Sequence, residues 1–381
     1  MGKVTFKRGV FLIFQYLVLG VVVGLAGCSS SSVTKKAYPE GVSQGVDWQL
    51  VDAGQTESAN RPSATEDAAV AFDTRENRMV LFGGKNNDNQ VVAETWFYYP
   101  SKDHWEQLTA STQNPPGRED HVLIYDSYRH KIVLHGGEDG NTSNVLWELD
   151  LETLQWEDKT SDEVPFWEDH SAAYITARKS MIIFGGKSME RRGPNDLLEL
   201  HLDPAAPDFY QWSVINPDTN FRVPDGRMYH SMGYDASRNN LLIYGGWDPA
   251  KREYKLDTWI FSFADSAWFK MRFKPRKGKF FPPPRRHAES VVDPRNDMWI
   301  IFGGKGVGGP MNDIWGFDLK THRWINLTPG PLSRTDHAVF YDPSKGDIFI
   351  YGGDIGLKGE TRKFHDLWKV NIQMPEKEAE E

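Results

Sequence analysis

The chain has 381 residues, and its 53 acidic against 44 basic side chains give a formal net charge of −9. That balance argues against nonspecific nucleic-acid binding by the surface as a whole. A single cysteine excludes an intrachain disulfide, and an aromatic share of 13 % with 14 tryptophans calls for an arrangement that uses tryptophan repeatedly.

At the N-terminus, Lys3, Lys7 and Arg8 precede an apolar stretch from Val10 to Val23, followed by Leu25-Ala26-Gly27-Cys28. A basic start, an apolar run and small residues before a thiol read as a secretory signal, and the segment resembles the leader of bacterial lipoproteins. The resemblance implies that residues 1–27 are removed as a signal peptide, that the Cys28 thiol carries diacylglycerol, and that the protein is lipid-anchored in the bacterial cell envelope. Ser29, rather than Asp, after the cysteine implies the outer membrane. An uncleaved transmembrane anchor is the alternative, against which the shortness of the apolar run counts. Residues 28–45, opening on Ser29-Ser30-Ser31-Ser32, read as a Ser-rich flexible tether.

From residue 46 a glycine pair recurs six times, at Gly83-Gly84, Gly136-Gly137, Gly185-Gly186, Gly245-Gly246, Gly303-Gly304 and Gly352-Gly353. Each pair closes a short run of aliphatic and aromatic residues, and a spacing of about 50 to 60 residues marks a repeat architecture. A tryptophan follows each pair after a polar loop: Trp96, Trp147, Trp259, Trp315 and Trp368, with Leu198 in the third copy. Nine residues later come Trp105, Trp156, Trp268 and Trp324, while Trp212 is delayed by an insertion around Pro204 to Pro207. The apolar runs are short, rich in β-branched and aromatic residues and bounded by Asp, Asn, Gly and Pro, so they read as strands.

This pattern resembles the Kelch repeat, which implies an all-β fold: a six-bladed propeller of four-stranded blades over residues 46–373, with 374–381 an acidic C-terminal tail. The sixth copy lacks its second tryptophan, whereas Val46-Asp47-Trp48-Gln49-Leu50-Val51 matches Trp105-Glu106-Gln107-Leu108 and precedes the first copy. An N-terminal strand is therefore expected to complete the sixth blade and close the ring, leaving only short outer edges.

Two regions supply candidate binding residues. Lys270, Arg272, Lys274, Arg276, Lys277, Lys279, Arg285 and Arg286 fall in one segment, interleaved with Phe273, Phe280 and Phe281. It reads either as solvated surface or as a patch for an anionic partner, the phenylalanines favouring the patch. The segments leading into each blade read Arg118-Glu119-Asp120-His121, Trp167-Glu168-Asp169-His170, Arg227-Met228-Tyr229-His230, Arg285-Arg286-His287-Ala288 and Arg334-Thr335-Asp336-His337; Thr65-Glu66-Asp67-Ala68 lacks both Arg and His. The Kelch resemblance places them around the mouth of a central channel. A histidine repeated once per blade reads first as a structural residue; departures from the repeat, above all Trp167 and Trp247, mark a site where aromatics could stack on a sugar or hold a peptide.

The expected function is non-catalytic recognition of a protein or an anionic glycan through the loop face, with membrane attachment at Cys28 and no nucleic acid as partner. No catalytic residue is assigned, and no metal or cofactor is expected. The chain lacks the cysteine of the copper-radical site in galactose oxidase, and no Glu, Asp and His fall at the four-residue intervals of the iron-holding specifier proteins. The alternative is a sugar mutarotase or epimerase, by resemblance to the six-bladed sialic-acid mutarotase, with His121, His230, Glu168 or Asp169 moving the proton.

Overall fold

A computed structural model describes residues 45–52, 60–139, 145–165, 167–187, 194–218, 220–273, 281–330, 332–356 and 362–373. The leader, Cys28, the tether up to residue 44, Lys274, Arg276, Lys277, Lys279 and the acidic tail lie outside the described residues. The described residues contain no helix long and apolar enough to cross a membrane.

Six four-stranded antiparallel sheets succeed one another along the chain. In the second blade the order from the channel outward is Glu119–Asp126, Lys131–Glu138, Leu146–Asp150 and Gln155–Asp158. The sixth blade is Ala338–Asp342, Asp347–Tyr351, Leu367–Gln373 and then Gly45–Asp52, with Val46 opposite Ile372 and Trp48 opposite Val370. The ring thus closes through its N-terminal strand, as the unequal ends of the repeat predict. Trp48 meets Trp368 edge-on at 6.3 Å between ring centroids.

The core consists of six apolar layers, each between two neighbouring blades. The period-2 alternation of a strand produces them. In Lys131–Glu138, Ile132 and Leu134 pack toward the first blade while Val133 packs toward the third. Second strands are buried on both faces, hence runs such as Met298–Phe302 with no polar break. The second tryptophan of a repeat seals such a layer: the Trp156 indole N–H donates to Thr95 Oγ1 of the preceding blade at 3.0 Å, and Trp324 does the same to Thr258.

The glycine pairs fasten blade to blade. At Gly84 (φ +94°) the amide donates to the Arg118 carbonyl of the next blade at 2.8 Å. A Cβ at Gly83 (φ +72°) would fall 2.7 Å from that same oxygen and 2.8 Å from His121 Cε1, so only glycine fits. The same amide-to-carbonyl bond recurs from Gly137 to Trp167, Gly186 to Arg227, Gly246 to Arg285 and Gly304 to Arg334, and Gly353 closes the circle onto Thr65.

Candidate functional site: the mouth of the central channel

Because every blade runs antiparallel, the loops after the glycine pairs and the connections between blades open on one face, and the lead-in segments bring side chains to the channel there. Position by position, those segments divide into framework and lining.

The first position is framework. Arg118, Arg227, Arg285 and Arg334 are all buried, and each donates to a carbonyl eighteen residues on, at Gly136, Gly245, Gly303 and Gly352, over 2.8 to 3.0 Å. Three also pair with an aspartate that accepts a neighbouring tryptophan N–H: Arg227 with Asp257 and Trp259, Arg285 with Asp313 and Trp315, Arg334 with Asp366 and Trp368. Trp167 fills the same place, its indole N–H donating to the Gly185 carbonyl. Arg118, Arg227, Arg334 and Trp167, proposed from sequence as binding groups, therefore turn into the blades: an indole N–H can make the one carbonyl bond the position requires.

The fourth position is framework too. His121, His170, His230 and His337 are buried, the first three against the glycine pair and the Phe82, His135 or Phe184 ring of the preceding blade. Burial, with the charge of the adjacent arginine, lowers His121, His230 and His337 to about 3, and burial beside other histidines holds His170 well below its ordinary value. They are neutral wedges between blades, unsuited to proton transfer near pH 7.

The third position lines the channel. Asp67, Asp120, Asp169, Tyr229, His287 and Asp336 all adopt left-handed backbone, φ +53° to +60°, and surround a cavity of about 240 Å³. Burial, then the charges of Asp336 and Asp120, pushes Asp67 well above the usual carboxylate range, and burial with Asp169 does the same to Asp120. Asp336 goes the other way: burial opposes ionisation, but its contact with His287 holds it down at about 2. Glu289 opens to the channel yet is walled by protein, and that desolvation pushes its carboxyl up to about 7. Opposite the acids, Tyr229 stacks on His287 at 4.0 Å.

Trp247 and Arg286 do come together. Trp247–Asp248 pairs with Glu253–Tyr254 in a small hairpin above the fourth blade, and the Arg286 guanidinium lies 5.5 Å from the Tyr229 ring and 5.9 Å from those of Trp247 and Tyr254. Of the rest of the basic segment only the flanks, up to Phe273 and from Phe281, lie within the described residues. Phe273 and Phe281 pack on each other at 5.1 Å and, half-buried, against the apolar layer between the fourth and fifth blades, so packing accounts for both rings. Lys270 pairs with Asp257, and the Tyr244 hydroxyl donates to the Pro282 carbonyl at 2.6 Å.

The aspartates of the collar were not singled out as a group, although Asp stands at the third position in four of the six segments. The family model for the KLHDC2/KLHL20/DRC7 Kelch-repeats domain matches residues 44–204 and 127–330. The chain belongs to the Kelch-repeat family. Among curated proteins, Kelch domain-containing protein 10 of Xenopus tropicalis is 22 % identical over 302 residues, covering 77 % of this chain and 69 % of that protein. Its human counterpart is 24 % identical over 311 residues, 77 % of this chain and 64 % of the relative. Mei4-dependent protein 6 of Schizosaccharomyces pombe is 23 % identical over 338 residues, 80 % of this chain and 47 % of its own length.

Proposed function

We propose that this Kelch propeller is a lipid-anchored envelope protein whose loop face docks a protein partner, a scaffold rather than an enzyme. The observation that carries the reading is where apolar side chains are left exposed. Of the eight large apolar residues exposed among the described residues, five, Phe221, Val223, Leu256, Val307 and Leu332, sit on connections that open on the channel-mouth face, while Leu50 and Val214 lie on outer strands and Tyr128 in a turn on the opposite face. Val307, at the tip of the Lys305–Pro310 hairpin, is 86 % exposed. Single exposed apolar residues need no explanation, but a concentration on one face, rimmed by charge, is the composition of a docking surface. Aliphatic tips of this kind suit a polypeptide better than a glycan, which aromatic faces would stack. The anchor part of the proposal is supported by Leu25-Ala26-Gly27-Cys28 after a basic, then apolar, N-terminal stretch.

The test is affinity capture from an envelope extract with the full chain, comparing the Leu256→Ser/Val307→Ser double variant with Tyr128→Ser, an exposed residue in a turn on the opposite face. The reading expects the double variant to lose the proteins that the parent and Tyr128→Ser retain. Equal retention by all three would overturn it.

A further inference from the structure

The base of the propeller, the face opposite the channel mouth, does not treat its cations alike. In the turns between the first and second strands of the first four blades, Arg75, Arg129, Arg178, Lys179 and Arg238 each lie 2.5 to 2.9 Å from a carboxylate. In the fifth and sixth blades that pairing stops. The Arg295 guanidinium donates to the Lys345 and Gly346 carbonyls at 2.8 and 2.5 Å, which joins the two turns and leaves its charge uncancelled. Lys320 and Arg323, at the outer turn of the fifth blade, and Lys345, at the inner turn of the sixth, are exposed. Among the described residues none of these four cations pairs with a carboxylate. The acids of the same turns are engaged: Asp293, Asp318 and Asp342 accept amides of their own turns, and Asp297 pairs with Arg238. Asp47, exposed on the closing strand, offsets one charge. The chain enters the propeller at this same corner. Leu367–Gln373 runs from the mouth to the base and Gly45–Asp52 runs back, so Gly45, opposite Gln373, lies at the base, where Asn296 of the fifth-blade turn donates to the Ile372 carbonyl at 3.2 Å.

We infer that the base of the fifth and sixth blades rests on the anionic phospholipid headgroups of the membrane that holds the lipid anchor, with the channel mouth turned away from the bilayer. The inference rests on the anchor proposed above and adds which face the membrane meets. Length, shape and charge agree with it. The chain from Cys28 to Gly45 reaches about 60 Å at most, at about 3.5 Å per residue, so the bilayer stays within that distance of the face that carries the patch. The cations stand at turn tips of one face, where a flat headgroup layer meets them together, and each basic residue near an anionic surface raises membrane affinity by about fivefold. With a net charge of −9, the rest of the surface is repelled by the same lipids, so a small basic patch is enough to orient the molecule. The rival occupant is the chain's own segment 374–381, which follows Gln373 and carries Glu376, Glu378, Glu380 and Glu381. Exposed pairs within one chain contribute little, whereas a headgroup layer offers a partner to every cation at once.

The experiment reconstitutes the full chain, lipid-modified at Cys28, into vesicles of phosphatidylcholine with or without phosphatidylglycerol. Cys28 is the only cysteine and its thiol is alkylated by the anchor, so a fluorophore can be attached at Thr321→Cys on the base or at Val307→Cys at the mouth. Energy transfer to a headgroup acceptor then reports the height of each label above the bilayer, and thermal melts check the fold of each variant. In anionic vesicles the base label should transfer at least about twofold more efficiently than the mouth label, and high salt should shrink the difference by screening. Neutral vesicles should shrink it too, as should Lys320→Glu/Arg323→Glu/Lys345→Glu. Arg222→Glu/Arg252→Glu/Arg362→Glu, an equal change of charge on the mouth face, should leave it in place. Equal transfer from the two labels in anionic vesicles overturns the inference, as does a difference that the triple base variant leaves intact. A difference that emerges only when residues 374–381 are removed also overturns it, assigning the patch to that segment. A chain that carries no fatty acid on Cys28 overturns the anchor reading and this inference with it, whereas equal transfer on a lipid-modified chain overturns this inference alone.

Discussion

Replacing Arg285 with Met tests whether the repeated arginine holds the blade together or serves a ligand. Arg285 is 1 % exposed, and its guanidinium makes two 2.6 Å contacts to Asp313, one of 2.8 Å to the Gly303 carbonyl and one of 3.1 Å to that of Pro283. Methionine keeps the apolar stem but leaves Asp313 with the Trp315 indole at 2.7 Å as its remaining side-chain donor. Removing one member of a buried pair costs about 3 to 5 kcal/mol, and the partial exposure of Asp313 places this case near the lower end. At about 2 to 4 °C per kcal/mol for a domain of a few hundred residues, the melt should fall by about 6 to 12 °C. Arg118→Met, which loses bonds to the Pro116 and Gly136 carbonyls, should cost less, about 1.5 to 3 kcal/mol. Adding Asp313→Asn to Arg285→Met should recover part of the loss, as coupled neighbours do. Calorimetric melts decide it: a melt within about 2 °C of the parent, or a larger cost at Arg118, would refute the reasoning.

Deleting residues 45–52 should destabilise the ring far more than deleting 29–43, since the first removes the outer strand of the sixth blade with buried Val46, whereas equal melting temperatures would deny the closure. Cys28→Ser should abolish fatty-acid labelling and leave the chain unprocessed; equal labelling of variant and parent would contradict the anchor. In acid, His121, His230 and His337 stay neutral in the fold down to about 3 against an ordinary 6.5, so the stability they contribute is present above 6.5 and is lost as pH falls toward 3. His230→Gln should flatten the dependence of the unfolding free energy on pH across that window, and an unchanged slope would mean that His230 does not titrate on unfolding. Glu289 has the opposite sign: held at about 7 in the fold, it contributes stability that is full below 4.5 and lost as pH rises through 7, so Glu289→Gln should raise the melt more at pH 8 than at pH 5.

The scaffold was legible because each of its devices is spelled by residue type. Only glycine tolerates the φ and the close approach at Gly83-Gly84, and only an unpaired half-repeat such as Val46–Val51 can close an array whose last copy is a strand short. The site was less legible because the eye goes to what is chemically conspicuous. Arginine, histidine and tryptophan recur in the lead-in segments, yet they face the blades: their task is to tie a carbonyl or fill the space beside a glycine. The plain aspartates between them reach the channel because the left-handed backbone at the third position turns that side chain inward, and backbone sign cannot be read from an Asp. Phe273 and Phe281 misled for a related reason, since burial between blades and exposure to a ligand ask for the same side chain. By contrast Trp247, a true departure from the repeat, does stand at the mouth beside Arg286.

The most direct measurement for the loop-face account is site-specific photocrosslinking in cells, with a photoreactive side chain at Val307 or Leu256 on the channel-mouth face, and at Tyr128 on the other face. The account predicts that Val307 and Leu256 capture a common polypeptide partner and that Tyr128 does not. Crosslinks to a polypeptide from Tyr128 alone would place recognition on the wrong side of the propeller and contradict the claim.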